Sequence, residues 1–327
     1  MNREILNLKN LSVSYGDINI LKDIDLSLKK GEILGIVGES GSGKSTLIKS
    51  IMGILDENAS IDGEINFEGK DLASLYLKDY RKIKGKEISM IFQNPTEYFN
   101  PTRKISKQFI ETIRSHNDIS KQEIQKKSIN TFKFLGLQDG KKIWNSYPFE
   151  LSGGMNQRVA IALSIMLEPK ILLADEPTSA LDVTVQAQVV KELLKLRQKL
   201  NTSIILVTHN IGVASYMSDN IGVMYGGRII EYGESEELIN NPKHPYTKML
   251  INSVPVINGN IPNGIEGSLP NFQDIKEGCV FLDRCKYASR ECKIKVPSAK
   301  YWGKSHWSSC LIENEEIALW LKITQQQ

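Results

Sequence analysis

Long apolar runs with few polar interruptions set the pattern of this chain. GEILGIV (31–37), KEISMIF (86–92), KILLAD (170–175) and TSIILVTH (202–209) place Ile, Val and Leu on successive positions. Such runs mark strands buried on both faces, so they predict a largely parallel central sheet. Between the last two, Val185, Val189, Leu193, Leu196 and Leu200 recur at three- and four-residue steps. That stripe predicts a helix packed on the sheet, completing a βαβ crossover. The first run leads through a Gly/Ser-rich loop into KSTLIKSIMGIL, a second strand-to-helix step.

Residues 97 to about 165 follow another rule. QFIETIRSH, SKQEIQKKSINTFKFLGL and GGMNQRVAIALSIML carry helical spacing and no strand, which predicts a helical subdomain inserted into an α/β core. From Asn241 onward Pro242, Pro245, Pro255, Gly259, Pro262, Gly264, Gly267 and Pro270 punctuate the chain. The expectation is a domain over residues 1–240 and an irregular extension over 241–327.

Composition narrows the class. A chain of 327 residues exceeds the usual single domain, which suits a full domain plus an appendage. Lys and Arg number 41 against 38 Asp and Glu, a net charge of +3, so no basic surface for nucleic acid is indicated. Hydrophobic residues at 41% and charged residues at 24% exclude a disordered or collagenous chain. No run is long enough to span a bilayer, and MNREILNLKN lacks the apolar core of a signal peptide, so a cytoplasmic protein is expected. All four cysteines, Cys279, Cys285, Cys292 and Cys310, crowd into the extension.

The chemistry centres on Gly38, Glu39, Ser40, Gly41, Ser42, Gly43, Lys44 and Ser45, which match G-x-x-x-x-G-K-[ST] between a strand and a helix, with Thr46 following. Glycines let backbone N–H groups turn around phosphate oxygens, and the helix N-terminus adds the positive end of its dipole. Lys44 is expected on the β- and γ-phosphates and the Ser45 hydroxyl on Mg²⁺. Asp175 and Glu176 end a strand where open α/β sheets place ligands. Asp175 is expected to hold Mg²⁺, and Glu176 to take a proton from the attacking water. His209 ends the next strand and can reach the γ-phosphate or that water; Gln93 ends another and can meet Mg²⁺ or water. Ser152, Gly153 and Gly154 open a helix, where spacing alone is satisfied by a simple cap.

In order along the chain, GESGSGKST, Gln93, LSGGM, ILLADE, SALD (179–182, ending at Asp182) and His209 resemble the motifs of the ATP-binding cassette (ABC) ATPases. The resemblance covers about residues 1–240. It implies a P-loop α/β core with a mostly parallel sheet and an inserted helical subdomain, and it implies ATP hydrolysis. It also implies adenine stacking by Tyr15 and contact of Ser152, Gly153, Gly154 and Asp182 with nucleotide across a head-to-tail pair of cassettes. Two positions depart from the general pattern: Met155 stands where Gln is usual, and Asn210 where Asp is usual. LSGGMNQR, IFQNPTEYFNP (91–101) and NPKHPYTKMLINSVP (241–255) resemble the branch serving oligopeptide, dipeptide and nickel importers.

That branch implies a second ABC ATPase subunit, two membrane permease subunits and an external binding protein, with this chain at the cytoplasmic face of the membrane. Cargo is expected to be peptide, with nickel or a metal chelate as the alternative. The cysteine spacing, C-x5-C-x6-C-x17-C, matches neither common zinc pairs nor ferredoxin runs. Resemblance to peptide-importer subunits instead implies a [4Fe–4S] cluster on all four thiolates, with structural Zn²⁺ second.

Overall fold

The computed structural model describes residues 3–94, 99–179, 182–254, 264–275 and 277–312. Residues 95–98 of IFQNPTEYFNP, Ala180 and Leu181 of SALD, and Pro255, Gly259 and Pro262 lie outside the described residues.

Two sheets organise the fold. In the larger, β3 (Ile33–Val37), β6 (Ile88–Ile91), β7 (Ile171–Asp175), β8 (Ser203–Thr208) and β9 (Asn220–Tyr225) pair in parallel. Every residue of these five strands is buried, which is why they read as unbroken apolar runs. β10 (Arg228–Glu234) returns antiparallel to β9. The smaller sheet is antiparallel, in the order β2-β1-β4-β5, from β1 (Glu4–Tyr15), β2 (Ile18–Lys29), β4 (Ala59–Phe67) and β5 (Lys70–Asp71). One face of β1 and β2 is wet, so their apolar residues are dispersed, and register shifts interrupt the alternation. No unbroken apolar run announces this sheet in the sequence.

Helix α1 (Lys44–Met52) packs between the sheets, and Leu47, Ile48 and Ile51 join Leu11, Ile24, Leu34 and Ile36 in one core. Helix α2 (Leu77–Ile83) follows the small sheet. The inserted subdomain is helical, as the spacing predicts: α3 (Ile105–Arg114), α4 (Lys121–Phe134), α5 (Gly140–Asn145) and α6 (Gly153–Ile165). Its centre is aromatic, with Phe109 edge-to-face on Phe132 and Trp144 at centroid distances of 5.3 and 6.1 Å. The crossover helix α7 (Val183–Leu200) buries Val189, Leu193 and Leu196 of the predicted stripe. Helix α8 (Ile211–Met217) starts at Asn210, whose side chain accepts from the N–H groups of Gly212 and Val213. Asn210 thereby serves as a cap, a role Asn and Asp fill about equally well.

The described residues of the extension hold more regular structure than its Pro and Gly content predicts. Helix α9 (Ser235–Asn240) leads into it, α10 (Pro245–Asn252) opens it, and β11 (Lys300–Tyr301) and β12 (Trp307–Ser308) widen the main sheet beside β10. Tyr225 of β9 meets Tyr246 and Phe281 edge-to-face, with centroids 4.7 and 5.1 Å apart. All three rings are fully buried, and each contributes on the order of 2 kcal/mol by leaving water. Polar bonds close the joint. Glu231, at 0% exposure, accepts from the N–H groups of Lys243 and His244 at 2.6 and 2.8 Å and pairs with His306 Nε2 at 2.8 Å.

Candidate active site

The loop between β3 and α1 is shaped by glycine. Gly41 and Gly43 have φ of 86° and 105°, in the left-handed region that side chains resist. Gly38 is needed for close approach, since a Cβ there would lie 2.2 Å from the Met224 carbonyl oxygen of β9. Lys44, 4% exposed, donates to the carbonyl oxygens of Gly38 and Glu39 at 2.8 and 2.7 Å. Burial lowers its pKa, opposed by the charges of Glu176, Asp175 and Glu39.

The first turn of α1 meets the end of β7. Ser45 Oγ donates to Asp175 Oδ1 at 3.1 Å, bringing together the two oxygens expected on Mg²⁺. Burial raises the pKa of Asp175, and the Ser45 hydrogen bond opposes the rise. A divalent cation would supply the charge that this buried carboxylate lacks, so the donor set fits Mg²⁺.

Glu176 is held in an unusual conformation, with φ of 43° and its N–H bonded to the Val207 carbonyl of β8. A left-handed backbone at a residue with a Cβ costs about 1 kcal/mol or more and aims the side chain away from the strand line. Its Oε2 accepts from Gln93 Nε2 and lies beside His209 Nδ1, both at 3.1 Å. A carboxylate only accepts, so Nδ1 carries the proton. Gln93 and His209, from two other strand ends, thus converge on one oxygen of Glu176. Tyr15, Ser40, Gly41, Gly43, Lys44, Ser45, Thr46, Gln93 and Glu176 line one cavity.

Other expected residues lie elsewhere. Ser152 caps α6 by accepting from the Met155 N–H at 3.3 Å, and Gly154 faces Val185 of α7. Met155 packs against the helical core, which accounts for an apolar residue there. Asp182 caps α7, accepting from the Val185 N–H at 3.0 Å. None of Ser152, Gly153, Gly154 and Asp182 borders the cavity around Lys44. Glu39 is occupied at the loop's outer side: its N–H donates to the Tyr246 hydroxyl at 3.0 Å, and Arg284 Nη1 lies 3.0 and 3.2 Å from its carboxylate oxygens.

Three residues here carry no local sequence signal. Ile20 and Phe272 also border the cavity, and Arg284 holds the loop from the extension. A lone Phe after Pro270 and an Arg before a cysteine read as ordinary tail residues; only the fold brings them to the loop.

The cysteine tail departs from expectation. The Cys279 N–H donates to the Cys292 carbonyl at 2.8 Å, and Ser289 Oγ lies 3.4 Å from Cys292 Sγ. Burial pushes Cys279 up to about 11 and Cys285 up to about 12, and the charge of neighbouring thiols adds to both rises. Among the described residues no group of three or more Cys, His, Asp or Glu side chains is arranged to hold a metal ion. The expected four-thiolate set for [4Fe–4S] or Zn²⁺ is therefore not seen among the described residues, where all four cysteines are free.

Residues 21–179 match the ABC transporter family, and residues 230–292 match the C-terminal region of oligopeptide/dipeptide transporters. The oligopeptide transport ATP-binding protein OppD of Haemophilus influenzae is 39% identical over 96% of this chain and 99% of its own length. The chain belongs to the oligopeptide/dipeptide family of ABC transporter ATP-binding proteins. AppD of Bacillus subtilis, an oligopeptide transport ATP-binding protein, is 41% identical over 96% of this chain and 98% of its own. CbiO1 of Clostridium perfringens, part of the ABC transporter complex cbiONQ, superposes with a TM-score of 0.64 at 31% identity, over 74% of this chain and 92% of its own. The ABC cassette MJ0796, solved with ADP and phosphate, gives 0.63 at 29% identity, over 70% of this chain and 98% of its own. As a member of this family the chain is an ATPase coupled to transport.

Proposed function

We propose that this chain is the ATP-hydrolysing subunit of an importer for oligopeptides or dipeptides. The observation that carries the reading is end-to-end similarity to peptide-transport ATP-binding proteins, extension included, joined to an intact set of catalytic side chains. Nickel or chelate cargo has no such support among these relatives.

ATP would supply the γ-phosphoryl group and Mg²⁺ the charge that polarises it. Ser45 and Asp175 would hold the cation and Lys44 the phosphates. Gln93 and His209 hold the Glu176 carboxylate where it can accept a proton from water, and this preorganisation removes reorientation from the slow step. Ser152, Gly153, Gly154 and Asp182 are read as serving nucleotide across a pair of cassettes, consistent with their place away from the Lys44 cavity. The division into a cassette at 1–240 and an extension at 241–327 belongs to the same reading.

The partners are a second ABC ATPase subunit, two permease subunits and an external substrate-binding protein. Among the described residues no helix is long and apolar enough to cross a membrane, so the permeases must provide the path. The chain then sits peripherally at the cytoplasmic face. A metal centre on Cys279, Cys285, Cys292 and Cys310, [4Fe–4S] or Zn²⁺, is supported only by thiols lying within one another's fields. Iron, sulfide and zinc content after anaerobic purification tests it, and metal-free protein that folds normally rejects it.

Reconstitution with its permeases and binding protein in vesicles tests the main reading. Labelled di- to pentapeptides should accumulate only with ATP and only with intact Glu176. Uptake of nickel or chelate with no peptide uptake would overturn the cargo.

A further inference from the structure

The cavity beside the phosphate loop has two unlike kinds of lining. Lys44, Ser45 and Glu176 supply polar groups to it, and the side chains of Tyr15, Ile20 and Phe272 are largely apolar and partly exposed. Tyr15 and Ile20 flank the turn between β1 and β2, but Phe272 arrives from the extension, in a one-turn 3-10 helix at Phe272–Asp274. Its position is fixed. A Cβ built on Gly227 would lie 3.3 Å from Phe272 Cε1 and 2.2 Å from the Ile20 carbonyl oxygen, so the ring sits against the β9–β10 turn beside Ile20. That turn is bonded to the phosphate loop, Gly227 N–H donating to the Ser42 carbonyl at 3.0 Å. Two further anchors hold the extension to the same loop, the Arg284–Glu39 pair and the Tyr246 hydroxyl on the Glu39 N–H.

We infer that Phe272 is a nucleotide-binding residue, a second aromatic surface for the purine base beside Tyr15, so that the base end of the site is built from the first and last parts of the chain. The inference rests on the ATP-binding reading above. A cavity lined both by phosphate-loop groups and by two partly exposed rings, one of them beside Ile20, suits a planar, weakly polar heterocycle attached to a polyphosphate. A base has two faces and a rim, and rings from two segments cover more of it than Tyr15 alone. Ring contact of this kind is tolerant of base identity, so adenine and guanine nucleotides should both benefit.

The test is equilibrium binding of Mg-ATP, Mg-ADP and Mg-tripolyphosphate to the full chain. Tripolyphosphate has the phosphates but no base. Phe272→Ala should weaken ATP and ADP by roughly 5- to 10-fold and leave tripolyphosphate unchanged. Phe272→Leu, which keeps apolar packing on Gly227 without a ring, should show the same loss, and Phe272→Trp should restore affinity. ATP affinity within about twofold of wild type in the Ala variant overturns the inference. So does a parallel loss of tripolyphosphate, which would mean that Phe272 only braces the loop. Wild-type protein that binds neither ATP nor tripolyphosphate rejects the ATPase reading and this inference with it; binding unaffected by the substitutions rejects this inference alone.

Discussion

Arg284→Met should unclasp the extension from the phosphate loop, and the structure sets the size of the effect. The Arg284 side chain is 5% exposed, and its guanidinium reaches both Glu39 oxygens at 3.0 and 3.2 Å and the Glu266 carbonyl at 2.9 Å. Hydrogen bonds to a charged group contribute about 1.5 to 3 kcal/mol each, but Glu39 is 29% exposed and water can replace part of what it loses. The pair itself should therefore be worth about 1.5 kcal/mol, with about as much again from the lost carbonyl contact. Native-state hydrogen exchange reads this at the tail amides of Cys279, Leu282 and Cys285, which are bonded in turns. Protection there should fall about 100-fold in Arg284→Met, because each 1.4 kcal/mol is a factor of ten. In a double-mutant cycle Glu39→Gln should contribute little once Arg284 is gone, leaving a coupling of about 1.5 kcal/mol. Additivity within about 0.3 kcal/mol would refute the clasp.

Glu176→Gln should bind ATP normally while phosphate release slows by about 100-fold or more, since the carboxamide keeps the shape and loses the base; near-normal turnover would remove Glu176 from that role. Lys44→Ala should weaken Mg-ATP by about 100-fold in equilibrium titration, and unchanged affinity would contradict the phosphate loop. Glu192, 3% exposed and with no hydrogen-bond partner for Oε2 among the described residues, has its pKa raised by burial to about 7. Folding then favours its protonated form, so the stability it confers is present below about pH 4.5 and lost as pH rises through 7. Glu192→Gln should melt higher than wild type at pH 8 and converge with it at pH 4; parallel melting curves across that range would sink this reading.

What could be read in advance follows from how local each signal is. β3, β7 and β8 are buried on both faces, so their composition alone announces them, and the phosphate loop, Asp175, Glu176 and His209 each sit at an end of such a strand. β1 and β2 are wet on one side and broken by register shifts at Leu8 to Val13, and their alternation is too irregular to stand out. Strands of two residues such as β12 exist only because β10 presents an edge to them. Phe272 and Arg284 reach the loop across more than 200 residues of chain, a distance over which no spacing rule operates. The cysteines show the reverse case, a conspicuous cluster in sequence that does not form a ligand set among the described residues.

The two bonds on Glu39 also bear on the order in which the protein is made. Residues 38–45 leave the ribosome early, yet the hydroxyl and the guanidinium that fix their outer side belong to Tyr246 and Arg284. A nascent chain with its cassette motifs translated still lacks that support until the segment from Tyr246 to Arg284 emerges. Support of the loop's outer side thus comes after the catalytic motifs, and a chain ending before Tyr246 would carry all of them with Glu39 unclasped.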